Sequence, residues 1–154
     1  MYDTSKDLLD AYRAAPEVLQ ALLSEVTPER AQAARGGDEN WSVVEVVCHL
    51  RDAEERAIER TQAMRDEAEP FLPGYDQEQW ARERNYAGDD LRAALEAFLR
   101  LRAAHIADLE ALAPADWERP GRHEEQGRIT IGAHIAHMVS HDYIHAAQIA
   151  RQLG

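Results

Sequence analysis

The sequence predicts an all-α protein that folds as a four-helix bundle. Apolar residues recur with a helical period in four blocks, and the helix-favouring residues Ala, Leu, Arg and Glu dominate the composition. The segments between the blocks are polar or rich in Gly and Pro, as expected of connections. The chain shows no alternation of apolar and polar residues, so we expect no strands. Its 154 residues have the length of one domain, which we place over residues 1–154.

The first two helices are bounded by clear local signals. Apolar spacing predicts the first helix over residues 5–26, with Pro28 close after its end. Ser42, followed three residues later by Glu45, forms a capping box that opens the second helix. We expect this helix to reach about Arg65.

A long connection follows the second helix. Pro70 and Pro73 interrupt the helical pattern, and the segment up to Gly88 reads as a loop with a short helix near residues 77–84.

The third helix is expected over residues 91–112, where either Asp89 or Asp90 serves as its N-cap. Residues 117–128 are rich in charge, Gly and Pro and are expected to be irregular. Thr130 then caps a fourth helix that continues almost to the end of the chain.

The fourth helix concentrates polar residues on one narrow stripe. At about 100° per residue, the stripe runs beside an apolar arc, so its members face the edge of the bundle core. The stripe consists of His134, His137, His141, His145 and Gln148.

Histidines four residues apart on a helix point to the same side and can bind one metal ion. Both His137/His141 and His141/His145 have this spacing, so spacing alone favours only a pair that contains His141. His49, at the border of the apolar stripe of the second helix, is the candidate third ligand. Three neutral imidazoles suit zinc or a similar divalent ion and leave one position open. A hydrogen-bonded histidine cluster without metal is the alternative.

Three other charged or titratable positions carry expectations. Asp142 projects into the apolar arc and must be paired. Its partner is either the N–H of a metal-bound imidazole or a group on another helix, a backbone group or an arginine. His105 and His123 lie off the stripe and are expected at the surface.

The overall charge limits the partners of the surface. The formal net charge is −12 at pH 7, which disfavours nucleic acid and anionic membranes. No signal-like segment begins the sequence, so a cytoplasmic location is expected. A small-molecule substrate is the remaining expectation.

Three segments of the chain resemble the DinB-like superfamily, which includes metal-dependent hydrolases and bacterial thiol-dependent S-transferases. They are residues 41–50, which contain the Trp-Ser helix start and His49, residues 127–131, and residues 141–149. The last segment is the most specific, and together the three span most of the chain.

The resemblance implies an up-down-down-up bundle with a long crossover, often dimeric. It also implies a divalent metal, typically zinc or nickel, held by His49, His141 and His145. His137 then becomes a neighbour that lines the pocket, and Gln148 takes a helix-packing or pocket-edge role.

Three functions remain open at this point. In the first, the metal binds a low-molecular-weight thiol that attacks a small electrophile, which is S-transfer. In the second, the metal activates water for hydrolysis of an amide or ester. In the first, Glu45, Asp52 or His137 is the candidate acid or base, and in the second the candidate base is Glu45 or Asp52. In the third, the metal only stabilises a non-catalytic bundle.

Overall fold

Four long helices dominate residues 4–154, the part of the chain that the computed structural model describes. The helices are α1 (Thr4–Leu23), α2 (Pro28–Ala33), α3 (Val43–Asp66), α4 (Gln77–Glu83), α5 (Leu91–Glu110) and α6 (Ile131–Leu153). The strands are β1 (Arg35–Gly36), β2 (Trp41–Ser42), β3 (Phe71–Leu72), β4 (Pro120–His123) and β5 (Gly127–Thr130). The helices α1, α3, α5 and α6 form the bundle.

Two apolar clusters define the direction of each long helix. The upper cluster joins the end of α1, the start of α3, the start of α5 and the end of α6, with Leu23, Val43, Leu91 and Ile149 as members. The lower cluster joins the opposite ends of the same helices. The helices therefore run up, down, down and up, and residues 67–90 return the chain from the bottom to the top. This confirms the predicted four-helix bundle and its long crossover.

Local capping signals determined most helix starts. Ser42 and Glu45 form the predicted capping box at α3, with both hydrogen bonds at 3.2 Å. The N-cap of α5 is Asp90, whose carboxylate accepts a hydrogen bond from the Ala93 N–H at 2.8 Å. Thr130 caps α6 as predicted. Two of these caps begin the helices that carry the candidate ligands.

The first connection differs from its prediction. Helix α1 ends at Leu23, three residues before the predicted end, and a further short helix, α2, follows. Thr27 caps α2 through its hydroxyl, and Pro28 occupies its first turn, where a missing N–H costs nothing. The same Thr-Pro pair that ends α1 therefore also begins α2.

The prediction that the chain contains no strands is wrong. β1 pairs antiparallel with β2, while β4 pairs antiparallel with β5 and parallel with β3. The described strands have two to four residues each, too few for a readable alternation. Gly121 permits the close approach of β4, because a Cβ there would lie 2.8 Å from Leu72 Cδ1 and from Met64 Cγ.

A single buried guanidinium connects all four long helices. Pro16 lies inside α1 and has no N–H, so the carbonyl of Tyr12 loses its helical partner. Arg102 of α5 donates to that carbonyl at 2.9 Å. It also donates to the carboxylates of Glu54 on α3 and Asp142 on α6, each at 2.9 Å. The side chain thus fills a gap in one helix and neutralises charge on two others.

His105 belongs to this buried layer, so its predicted surface position is wrong. The ring is fully buried, with Nδ1 at 2.7 Å from Glu54 Oε1 and Nε2 at 2.7 Å from Thr61 Oγ1. Its spacing from the buried Arg102 and Leu109 places it on the inner face of α5. The spacing can be read from the sequence. Two of the three residues are polar, however, so a search for apolar periodicity does not recognise them as one buried face.

Substitution of Glu54 tests this layer. Burial opposes ionisation of Glu54, but the hydrogen bond with His105 and the charge of Arg102 overcome it and lower the pKa from 4.5 to about 2. Because the folded pKa is depressed, the stabilisation is present above pH 4.5 and is lost as the pH falls towards 2. We expect Glu54→Gln to lower the free energy of unfolding by about 3 kcal/mol at pH 7.

Urea unfolding at pH 7 and pH 3.5 measures the effect, and the difference from the unsubstituted protein should shrink by about 1 kcal/mol at the lower pH. The control is Glu55→Gln, one residue further along α3 on the exposed face. An equal loss at both pH values, or an equal loss in the control, would contradict the prediction.

Candidate metal centre

The structure brings His49 of α3 together with His141 and His145 of α6. One ring nitrogen from each lies within 4.8 Å of the others, and the two Nε2 atoms of His49 and His141 are 2.9 Å apart. The ring centroids are separated by 4.5–5.0 Å. The 2.9 Å separation fits two nitrogens that share one divalent ion through bonds of about 2.0–2.1 Å, and the His145 ring lies beside that pair as the candidate third ligand.

Gln148 fixes the orientation of one candidate ligand. Its Oε1 accepts a hydrogen bond from His145 Nδ1 at 2.8 Å, which leaves Nε2 of that ring as the unprotonated nitrogen. The Gln148 amide nitrogen lies 3.4 Å from the Gly36 carbonyl, and Gly37 has no Cβ that would collide with it. Gln148 therefore contacts a candidate ligand directly, in addition to its predicted packing or pocket-edge role.

All three imidazoles are held in the neutral form that binds metals. Burial, followed by the charge of His145, lowers the pKa of His49 to about 3. Burial is also the main reason why the pKa of His141 lies well below its usual value, and it lowers that of His145. Trp41 packs on His49 with a centroid separation of 5.2 Å and contributes to this burial.

Asp142 pairs with Arg102, which is the arginine alternative among its predicted partners. Burial raises the pKa of the Asp142 carboxyl to about 6, and the attraction of Arg102 offsets this only in part. The Nδ1 atom of His141 is buried and has no hydrogen-bond partner among residues 4–154. The neighbouring carboxylate is therefore paired with an arginine inside the bundle and is not bonded to the candidate ligand.

Glu45 and Asp52, two of the predicted acid–base residues, are engaged in structural contacts. Glu45 accepts hydrogen bonds from the Ser42 N–H and from Arg35. The Asp52 carboxylate is bound by the Tyr86 hydroxyl and by arginines at 2.9 and 3.0 Å. Their catalytic roles stay predictions.

His137, the third predicted acid–base residue, lies beside His141, with ring centroids 6.5 Å apart. Both line a cavity of about 200 Å³. Arg60 of α3 and His123 of β4 line the same cavity. His137 therefore lies in the cavity wall beside a candidate ligand, and its role as an acid or base stays a prediction.

Arg60 and His123 were not identified from the sequence as cavity residues. His123 is 9% exposed, so its predicted surface position is wrong. Its burial depends on the pairing of β4 with β3 and β5, which has no sequence signature. Arg60 follows Ala53 by two turns on α3, so the helical period alone would have placed both on one face.

The fold and the histidine cluster define a class of protein, a helix bundle with a candidate metal centre between its second and last long helices. The profile of the DinB superfamily matches residues 11–149. The chain therefore belongs to the DinB superfamily.

Two relatives are similar to this chain in sequence over most of its length. A protein of Oceanobacillus iheyensis, provisionally named a metal-dependent hydrolase, is 29% identical over 135 residues, 87% of this chain and 77% of the relative. A Geobacillus thermodenitrificans protein with the same provisional name is 26% identical over 114 residues, 74% of this chain and 64% of the relative.

The solved structure of YfiT from Bacillus subtilis superposes with a TM-score of 0.88 at 21% identity and covers 96% of this chain and 85% of that one. YfiT is described as an unusual four-helix bundle and is provisionally assigned as a metal-dependent hydrolase. Within residues 4–154, none of the helices has the length and apolar character needed to cross a membrane.

Removal of the Gln148 side-chain amide tests its positioning role. We expect Gln148→Leu to weaken zinc or nickel binding about 10–100-fold, because His145 loses the acceptor that orients its ring. Competition with a chromophoric chelator measures the affinity. Gln152→Leu, one turn further along α6 and bonded to the carbonyls of Ala34 and Trp41, is the matched control. Equal weakening in both variants would mean that Gln148 acts only through packing.

Proposed function

We propose that this protein is a divalent-metal-dependent enzyme and that it hydrolyses a small molecule. His49, His141 and His145 would hold the ion, and the substrate would occupy the cavity that His141 and His137 line. The observation that carries the proposal is the convergence of three neutral imidazoles beside this cavity.

The donor set supports an open site. Structural zinc sites usually have four protein ligands, whereas no fourth His, Cys or carboxylate within the described residues joins this cluster. An ion held by three imidazoles can polarise a substrate oxygen and lower the pKa of a water or thiol that it binds.

The chain's own groups supply the remaining requirements. His137 would accept or donate the proton at the substrate, since it lines the cavity next to a ligand. Met138 and Ala53 provide apolar parts of the cavity wall. Glu45 and Asp52 would act indirectly, because their carboxylates are already held by other groups.

The names of the relatives support hydrolysis over other chemistry. Both curated relatives and YfiT are provisionally assigned as metal-dependent hydrolases. Amides and esters fit such a site, because a metal ion can polarise their carbonyl oxygen.

S-transfer from a low-molecular-weight thiol is the second candidate, and one observation favours it. A thiol with an anionic group away from its sulfur needs a positive group in the cavity, and Arg60 in the cavity wall is such a group. A structural role of the metal without catalysis is the third candidate. We further propose zinc or nickel as the ion, because both bind imidazole, and a homodimer as the assembly.

Metal content distinguishes the two histidine pairs. We expect about one zinc or nickel ion per chain in the unsubstituted protein and a large loss in His141→Gln and His145→Gln. His137→Gln, on the same stripe of α6, should keep its metal and is the matched control. Elemental analysis of untagged protein gives the result. Loss of metal in His137→Gln with retention in His145→Gln would assign the other pair.

Activity separates the candidate reactions. We expect turnover in a panel of small esters and amides, and a fall of about 10²–10⁴-fold in kcat in metal-loaded His137→Gln. A parallel panel pairs low-molecular-weight thiols with epoxides and alkyl halides. Thiol consumption without hydrolysis would replace the first candidate by S-transfer. A metal-loaded protein inactive in both panels, with a higher Tm than the metal-free form, would indicate a structural role.

A further inference from the structure

We infer that Arg60 and His123 form an anion-binding wall, so that the substrate carries a carboxylate or related oxyanion at the end remote from the histidine cluster. This rests on the proposed function for the location of the reacting end only. The wall itself consists of side chains that line the cavity, whatever reaction takes place there.

Arg60 has hydrogen-bonding capacity that the protein does not use. One of its terminal nitrogens donates to the Pro73 carbonyl at 2.8 Å, while its Nε is buried and has no partner among the described residues. Arg51 and Arg56 on the same helix each contact a carboxylate. No carboxylate within residues 4–154 lies at ion-pair distance from Arg60, so its guanidinium remains available to a ligand.

The surroundings make this cation a favourable site for an anion. Burial and the nearby charge of Arg56 lower the pKa of Arg60, although a guanidinium stays protonated in proteins. A partly desolvated cation gains more from a charged acceptor than an exposed one does. A planar carboxylate also matches the fork of donors on a guanidinium.

His123 presents a second donor to the same cavity. Its Nδ1 accepts hydrogen bonds from the backbone N–H groups of Glu125 and Gln126 at 3.1 and 3.2 Å. The proton of the neutral ring therefore lies on Nε2, which is a donor. Burial, followed by the charge of Arg60, lowers the pKa of His123, so this neutral form prevails near pH 7. The ring thus adds an N–H and no competing charge.

The position of Arg60 determines where the anionic group would lie. Ala53 is one turn from His49, and Arg60 is two turns further along α3, about 10 Å along the helix axis. Both residues line the cavity. A ligand with its reacting end at the histidines would therefore place its other end towards Arg60.

Glu125 also lines the cavity and opposes an anion. Its carboxylate lies near Gly74, where an added Cβ would be 3.4 Å from Glu125 Oε1. This negative charge lowers the affinity of the wall for an anion. Removing it in Glu125→Gln should therefore raise that affinity, the opposite of the effect expected for Arg60→Gln.

Paired metal-directed probes test the inference. Two hydroxamates of equal length, one ending in a carboxylate and one in a methyl group, are titrated into the zinc-loaded protein with chains of four, six and eight carbons. We expect at least one length at which the carboxylate binds about tenfold more tightly. Arg60→Gln should reduce this preference below twofold and leave the affinity for the methyl probe unchanged, which also shows that the variant is folded.

Further variants sharpen the test. Arg60→Lys should keep part of the preference, and Glu125→Gln should increase it about twofold or more. Arg128→Gln, at an exposed position on β5, is the control that should change nothing. A phosphonate-ended probe distinguishes a general oxyanion site from one specific for carboxylate. Equal binding of the two hydroxamates at every length would overturn the inference even if hydrolysis is found.

A metal-free measurement separates the inference from the proposed function. Adipate is titrated into the metal-free protein and followed by the NMR signal of Arg60 Nε–Hε, which Arg60→Gln identifies by its absence. A shift with adipate but not with its dimethyl ester supports the anion-binding wall, even if the protein binds no zinc and the proposed function fails. No shift in the metal-free protein, together with no hydroxamate preference, rejects the wall.

Discussion

The buried charge of Arg102 is the constraint on which the rest of the structure depends. It contacts the Tyr12 carbonyl of α1, Glu54 of α3 and Asp142 of α6 while lying on α5. Sliding α3, α5 or α6 by one turn would leave a buried charge unpaired, at a cost of about 3–5 kcal/mol. Sliding α1 would leave the Tyr12 carbonyl without its donor. The polar layer therefore selects one register among the helix arrangements that apolar packing alone would allow. The Tyr12 carbonyl that Pro16 leaves without a helical partner contributes to this selection, because Arg102 donates to it.

This register positions the candidate metal centre. Asp142 is bound to Arg102, and the adjacent His141 is thereby held at the level of His49 on α3. The remaining alignment is local: the capping box begins α3 two turns before its histidine, and Gln148 orients the ring of His145. A structural ion network and a functional cluster thus share neighbouring residues on one helix, although no hydrogen bond joins Asp142 to an imidazole.

The charge of the cavity contrasts with that of the whole chain. The formal net charge is −12, so the surface field disfavours the approach of anions. Inside the cavity, the histidines are neutral and Arg60 lacks a carboxylate partner among the described residues. Recognition of a substrate would then depend on short-range hydrogen bonds within the cavity and less on long-range attraction, which suits a small ligand more than a macromolecular one.

The sequence by itself determined the four long helices, most of their caps and the face that carries His141 and His145. These features depend on interactions between residues a few positions apart in the chain. Apolar spacing and capping residues reveal such interactions in the sequence itself. Resemblance to the DinB-like superfamily then selected His49, His141 and His145, and the structure brings these three together. Only the tertiary structure decided the burial of His105 and His123, the pairing of the short strands and the position of Arg60 in the cavity wall. The physical reason is that a polar side chain at a core position, or a strand of a few residues, takes its role from partners far away in the chain.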